Sequence, residues 1–208
     1  MATILRDWSY RYPWLYGGIS QVAALTVGGE PRFRRLLLQD LPLTGARVLD
    51  LCCGGGDVTR YLVAAQPQTL VGVDASPKAI ARLARNVPTA EGVCAFAEDL
   101  PFAAATFDVV VCSTALHEMT ASQRQEILTE VQRVLVPGGW FALADFHKPR
   151  QPWFWPPLAL FLALFETETA WELLAVDLPA VLEPIGFQNI HQRLYAGGSL
   201  QVVRAQKA

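Results

Sequence analysis

The chain carries no excess of charge of either sign. Its 17 lysines and arginines face 19 aspartates and glutamates, a net charge of −2, so no electrostatic field favours nucleic acid as a partner. Arg32, Arg34 and Arg35 do cluster, but acids follow closely, and a solvated helix face is expected there. Cysteine is scarce: Cys52, Cys53, Cys94 and Cys112. Three of these sit in apolar, strand-like runs, which is not the framework of a disulfide-rich secreted domain. No C-x-x-C pair or His-x3-His spacing suggests zinc, and no metal is expected. The opening stretch "MATILRDWSYRYPWLYGG" lacks the apolar core and small-residue cleavage site of a signal peptide, so a cytoplasmic protein is expected. No uninterrupted apolar stretch is long enough to cross a bilayer. Residues 151–165, "QPWFWPPLALFLALF", contain three prolines, and a spanning helix needs roughly 20 apolar residues. Repeats and low-complexity tracts are absent too.

What is present is a core. The chain is 52% hydrophobic over 208 residues, enough for one substantial domain and short for two. Apolar runs alternate with helical patterns. "ARVLDL" (46–51), "TLVGVD" (69–74), "GVCAFA" (92–97), "FDVVVC" (107–112) and "WFALAD" (140–145) read as five strands. "VTRYLVAA" follows the first at helical spacing. After the second, Ser76 is a natural N-cap and Pro77 a natural first helical residue, with Ile80, Leu83, Ala84 and Val87 on one face. Ser122 starts a further helix with Gln125 at the capping-box position, ending at Pro137 to Gly139. Strands apolar throughout, each followed by a helix, describe a parallel sheet covered on both faces. Beyond residue 150 a Trp- and Phe-rich helix is expected over about 157–175. A shorter one follows, capped by Asp177 and stopped by Gly186. "FQNIHQRLY" and "SLQVVRAQ" then pair as a hairpin through "AGG". The expected architecture is a Rossmann-like, doubly wound α/β domain over 1–208. Its seven-stranded, mostly parallel sheet ends in an antiparallel hairpin. Residues 1–40 form a helical cap and 148–178 a helical lid after the fifth strand.

In such a sheet, ligands sit at the carboxyl ends of the strands, where strand order reverses. The turn in "RVLDLCCGGGDVTRYL" (47–62) lies there. Gly54 and Gly56 fit the start of a dinucleotide fingerprint, but Thr59 stands at its third position and no P-loop Lys-Ser follows. Asp50 lies inside the first strand, where a carboxylate needs a buried partner. Asp74 ends the second strand, placed to accept hydrogen bonds from vicinal ribose hydroxyls. Asp99, after the third, can accept from an exocyclic adenine amine. Carboxylates on three successive strands beside a close-approach turn suit a cationic nucleoside without phosphates. The Cys52–Cys53 pair could be redox-active or simply small; a steric role is expected.

"VLDLCCGGGD", "VGVDAS", "AEDLPF", "FDVVVCSTALHEM", "EVQRVLVPGGWFALAD" and "LLAVDLPAVLEPIGFQNI" resemble the successive motifs of class I S-adenosylmethionine-dependent methyltransferases, in order over about 40–205. Within that class the pattern is most similar to the ubiquinone/menaquinone-biosynthesis C-methyltransferases. The resemblance implies S-adenosylmethionine as cofactor and a site made of Asp50, Cys52, Cys53, Gly54, Gly56, Asp74, Ala75, Asp99, Leu100 and Ser113. The family usually has glycine where this chain has Cys52, and the substitution should narrow the pocket floor slightly. "PWLYGGIS" resembles the family's N-terminal Tyr-Asp segment; Gly17 replaces the Asp, so only Tyr16 carries over, either closing over the cofactor or packing before a turn.

Methyl transfer needs nucleophile, carbon and sulfur held collinear and dry; a general base is optional. His117, after the fourth strand, and Asp145 and His147, after the fifth, are candidate bases at the substrate edge; the alternative is that each simply hydrogen-bonds its own loop. The all-round apolar helix beginning after Pro157 must bury both faces in core, partner, lipid or apolar substrate. Trp153 and Trp155 beside Lys148 and Arg150 suit a membrane interface. The expectation is methyl transfer to carbon or oxygen of a hydrophobic small molecule, a quinone or isoprenoid lipid, with peripheral membrane contact through 151–165. A non-catalytic S-adenosylmethionine-binding subunit is the alternative. A nicotinamide-dependent oxidoreductase is disfavoured by the missing third glycine.

Overall fold

The computed structural model describes residues 29–208. Tyr16 and the rest of the expected cap before position 29 lie outside the described residues. Helix α1 (Glu30–Leu38) precedes β1 (Arg47–Leu51), α2 (Thr59–Val63), β2 (Thr69–Asp74), α3 (Pro77–Asn86), β3 (Glu91–Cys94) and β4 (Phe107–Ser113). A 3-10 turn (Leu116–Glu118), α4 (Ala121–Val134) and β5 (Leu135–Phe146) come next. After a second 3-10 turn (Pro152–Phe154) come α5 (Trp155–Phe165), α6 (Glu168–Leu173), α7 (Leu178–Leu182), β6 (Phe187–Tyr195) and β7 (Leu200–Lys207).

The seven strands form one sheet in the order β3-β2-β1-β4-β5-β7-β6. Strands β1 to β5 run parallel, while β7 lies antiparallel to both β5 and β6. This is the expected doubly wound sheet with its antiparallel terminal hairpin. The two-residue period of a strand explains why its strands read as unbroken apolar runs. Leu49, Leu51, Val110 and Cys112 face one layer with Ile127, Leu128 and Val131 of α4. Val48, Val109 and Val111 face the other, against Phe33 and Leu37 of α1 and Leu62 of α2. Each such side chain contributes about 1.5–3 kcal/mol by leaving water.

Helix α3 starts as expected: Ser76 Oγ accepts from the Ala79 amide at 3.3 Å and Pro77 opens the helix. Its inner face is Ala79, Leu83 and Val87, while Ala84 is exposed. A Cβ on Gly72 would stand 2.6 Å from Leu83 and 3.0 Å from Cys53 Sγ. Glycine in mid-β2 is what lets α3 and the first turn close onto the sheet.

Four local expectations shift. Helix α4 is capped by Thr120, not Ser122. Gln123 donates its amide to Thr120 Oγ1 (3.3 Å) and returns its side-chain oxygen to the Thr120 amide (3.1 Å). The same hydroxyl-x-x-amide pattern simply occurs two residues earlier and satisfies two orphan donors there. Strand β5 begins at Leu135 and carries Pro137 to Gly139 within it. Leu135 pairs with Phe107 and Trp140 with Val109, so the Pro-Gly-Gly segment is an irregularity that absorbs the missing proline donor. Strand β3, on the sheet edge, ends at Cys94 rather than 97. The lid is not one helix over 157–175: α5 stops at Phe165, and Thr167, with extended backbone, opens α6.

Candidate functional site

Strand order reverses between β1 and β4, which places a crevice at their carboxyl ends. The turn after β1 forms its floor. Gly54 and Gly56 have φ of 56° and 93°, and they need glycine for different reasons. A Cβ on Gly56 would lie 2.8 Å from Leu83, whereas one on Gly54 would meet no atom within 4 Å. Gly56 is small because the protein crowds it; Gly54 leaves open room, which a bound group can fill.

Cys52 also has a positive φ, 56°. A side chain in that region is disfavoured by roughly 1 kcal/mol, a cost that glycine would avoid. The Cys52 thiol is turned toward Cys112, whose own thiol is held protonated by its hydrogen bond to Cys52 and by burial. Burial, then the nearby charges of Asp50 and Asp74, push the Cys53 thiol well up, so it stays protonated as well. All four cysteines are free thiols. Cys53 fills the space beside Gly72, and Cys52 packs toward Cys112.

Asp74 is pre-set by backbone. Its Oδ2 accepts from the Gly54 amide and its Oδ1 from the Ser76 amide, both at 2.9 Å. Each oxygen keeps a further lone pair, so the carboxylate can still receive two hydroxyls side by side. Ala75, next to it, is exposed. Asp50 lies beneath the turn, 1% exposed, and accepts from Thr59 Oγ1 at 2.6 Å. Burial, opposed by that hydrogen bond, raises its pKa to about 7. Thr59, which breaks the dinucleotide fingerprint, is therefore the buried partner that Asp50 required.

The loop after β3 is held from α4. Glu130 accepts from the Leu100 amide at 2.9 Å and pairs with Arg133, which donates to the Leu100 carbonyl (3.0 Å) and the Phe102 carbonyl (2.7 Å). Leu100 is thereby buried while Asp99 stays exposed at the edge. Phe96 in the same loop is 65% exposed, an aromatic face beside the end of β2 that sequence reading missed. The loop joins that end directly, through the Ala95 amide and the Asp74 carbonyl (3.2 Å). A large apolar side chain inside "AFAEDLPF" was the available signal.

At the β4 end, Ser113 Oγ accepts from Arg34 Nη1 at 2.7 Å. Arg34 is thus turned to the sheet edge and is not on the solvated face that its cluster suggested; Arg32 and Arg35 are exposed. His117 is 0% exposed. Its Nδ1 donates to Asp145 Oδ1 at 2.7 Å, and Asp145 also accepts from the His117 and Phe146 amides. Its Nε2 lies 3.5 Å from Glu166 Oε2. Burial opposes a charge there, but the Asp145 carboxylate and then Glu166 outweigh it and raise His117 to about 10. Phe146 packs tilted against the imidazole, and Phe161 of α5 meets Phe146 edge-on, at 4.6 and 5.7 Å between centroids. His117 thus sits under the lid, not facing open acceptor space. His147 is half-buried and its Nδ1 donates to the Gly198 carbonyl at 2.8 Å, which ties the lid's first residues to the hairpin turn. The amides of Arg150 and Gln151 add bonds to the Gly197 carbonyl, 2.9 Å each.

Helix α5 sends Leu162 into a small cluster with Ala170 and Leu174. Leu160 remains 62% exposed and Trp153, before the helix, 86%. Arg124, buried on α4, donates to the Met119 and Thr169 carbonyls (2.9 and 3.3 Å), joining α4 to α6. No described helix is long and apolar enough to cross a membrane.

The open room over Gly54 and the doubly braced Asp74 fit S-adenosylmethionine. Comparison with known proteins agrees. Residues 48–139 match the family described as "Methyltransferase domain". The chain is 56% identical to an uncharacterized methyltransferase of Synechocystis sp., over 99% of this chain and 97% of that one. It is 36% identical to a ubiquinone/menaquinone biosynthesis C-methyltransferase, UbiE, of Syntrophotalea carbinolica, over 62% and 56%. It is 31% identical to a 2-phytyl-1,4-naphtoquinone methyltransferase of Thermosynechococcus vestitus, over 78% and 81%. In fold it is similar to an S-adenosylmethionine-dependent methyltransferase of Mesorhizobium loti, with a TM-score of 0.65 at 19% identity, over 88% of this chain and 100% of that one. The sheet order, the braced acid after β2 and these relatives together place the chain in the class I S-adenosylmethionine-dependent methyltransferases, similar to the ubiquinone/menaquinone-biosynthesis group.

Proposed function

We propose that this enzyme methylates carbon or oxygen of a hydrophobic small molecule, a quinone or a related isoprenoid lipid. The observation that carries this reading is the lid. Helix α5 is apolar all round, yet Leu162 is its one fully buried residue, with Leu160 and neighbouring Trp153 left largely exposed. Such a surface beside the site favours a greasy acceptor over a small polar one. The named activities of the two quinone-related relatives support the same class.

S-adenosylmethionine, when bound, supplies a methyl group activated by its positively charged sulfur. The chain's part is to bind, orient and dry. Asp74, held by the Gly54 and Ser76 amides, fixes the nucleoside end without reorganising. Gly54 leaves room for the remainder, and Leu100, pinned through Glu130, walls the far side. Asp99 and Phe96 stand exposed on the same loop for the base. The lid excludes water from the in-line path. Tyr16 and Ser113 complete the cofactor set in this reading. His117 serves as a base only when the lid moves, and His147 only when released from Gly198.

The exposed Trp153 and Trp155 beside exposed Lys148 and Arg150 are the surface we assign to a bilayer holding the acceptor. The test is purified protein, methyl-labelled S-adenosylmethionine and extracted cell lipids. Label is expected in the organic-extractable fraction. Label confined to the aqueous phase would overturn the apolar-acceptor reading.

A further inference from the structure

We propose that His117, Glu166 and Glu118 bind a divalent metal ion of the zinc type at the root of the lid. Their ligand atoms all lie within 4.8 Å of one another. The inference does not depend on the identity of the acceptor.

The first argument is unsatisfied polarity. His117 Nε2 and Glu166 Oε1 are both buried and have no hydrogen-bond partner, a condition that buried polar atoms rarely tolerate. The second is distance. The 3.5 Å between His117 Nε2 and Glu166 Oε2 is longer than the usual 2.7–3.2 Å of a hydrogen bond. It matches the roughly 3.4 Å that two ligands, each about 2.1 Å from a tetrahedral ion, span across it. The third is orientation. His117 Nδ1 donates to Asp145, itself held by two backbone amides. A histidine that ligates through one nitrogen almost always gives the other's proton to such a carboxylate.

The donor set selects the metal. One imidazole nitrogen with two carboxylates suits zinc, or manganese behind it, whereas magnesium and calcium prefer all-oxygen sites. Glu118 is exposed, and rotation of its side chain closes the set. The ion would join the turn after β4 to the break between α5 and α6, holding the lid on the sheet edge. Residue spacing concealed it, because Glu166 comes from a different segment from His117 and Glu118.

The experiment uses the full chain, stripped with EDTA and desalted, titrated calorimetrically with zinc chloride and, separately, magnesium chloride. One zinc per chain is expected, with a higher melting temperature in zinc than in EDTA and no comparable magnesium binding. Glu166→Gln should weaken zinc at least tenfold, and Asp145→Asn by about 10–100-fold through its hold on His117. A cooperative melt of Glu166→Gln in EDTA shows that the variant is folded. If it is not, the exposed Glu118→Gln decides, with a tenfold loss supporting the site. Wild-type protein that takes up no zinc overturns the proposal, as do folded Glu166→Gln and Glu118→Gln that bind it as wild type does.

Discussion

The two ends of the sheet's carboxyl edge are built on different principles. At β1 and β2 the chain uses backbone: Asp74 is braced by two amides, and the glycine turn shapes the floor. At β4 and β5 it uses side chains drawn from distant segments. His117, Asp145 and Glu166 meet under α5, and Arg34 crosses from α1 to Ser113. The first half suits a ligand shared across a whole family, because its contacts need only a turn and a strand end. In the proposed function the lid side of the second half serves the acceptor, because side chains and a lid can be exchanged without disturbing the sheet.

The largest effect expected from breaking this contrast lies beneath the cofactor half. Asp50 has a folded pKa of about 7, against an ordinary 3.8. Between those values the folded chain holds a proton that the unfolded chain has lost, so stability falls as pH rises through the window. Asp50→Asn cannot ionise. Denaturant unfolding of both proteins from pH 4 to pH 8 should show the variant gaining on wild type by up to roughly 4 kcal/mol. Parallel curves would mean that Asp50 is already charged below pH 4.

Asp74→Ala comes next. It removes two charge-assisted acceptors for ribose and the anchor of the Gly54 and Ser76 amides. The affinity for S-adenosylhomocysteine should fall about 100-fold, near 3 kcal/mol, by calorimetry. Unchanged affinity would refute the ribose assignment. A matched pair of glycine variants sharpens the distinction between packing and space. Gly72→Ala should lower stability by about 1–3 kcal/mol, since its methyl meets Leu83. Gly54→Ala, with no protein neighbour to clash with, should lower stability by about 1 kcal/mol for its backbone conformation. Its larger effect should be on S-adenosylhomocysteine binding. Equal melting losses for the two would erase the difference. The smallest effect is on the lid: Trp153→Ser should weaken binding to anionic lipid vesicles severalfold while leaving S-adenosylhomocysteine affinity unchanged. Vesicle binding equal to wild type would remove the membrane from that surface.

How far the sequence was legible follows the same division. The strands, the Ser76 and Asp177 caps and the carboxylates at 50, 74 and 99 all depend on short-range rules, and the described structure carries each element near its expected place. The errors were local competitions. Thr120 and Gln123 formed the capping box ahead of the Ser122 pattern, and Pro137 to Gly139 became a strand irregularity in place of a helix stop. The break at Glu166 and Thr167 was missed because 157–175 read as one Trp- and Phe-rich helix; its apolar run ends at Phe165, Thr167 opens α6 and Glu166 turns inward toward His117.

By itself, then, the order of residues determined the layered α/β plan and the cofactor floor, because strand period, helix caps and turn glycines act within a few positions of one another. Only the tertiary structure decided what surrounds His117, where Arg34 points and why Glu130 and Arg133 matter. Those depend on which segments the folded sheet brings together, and burial and electrostatic coupling arise only once water between them has been removed.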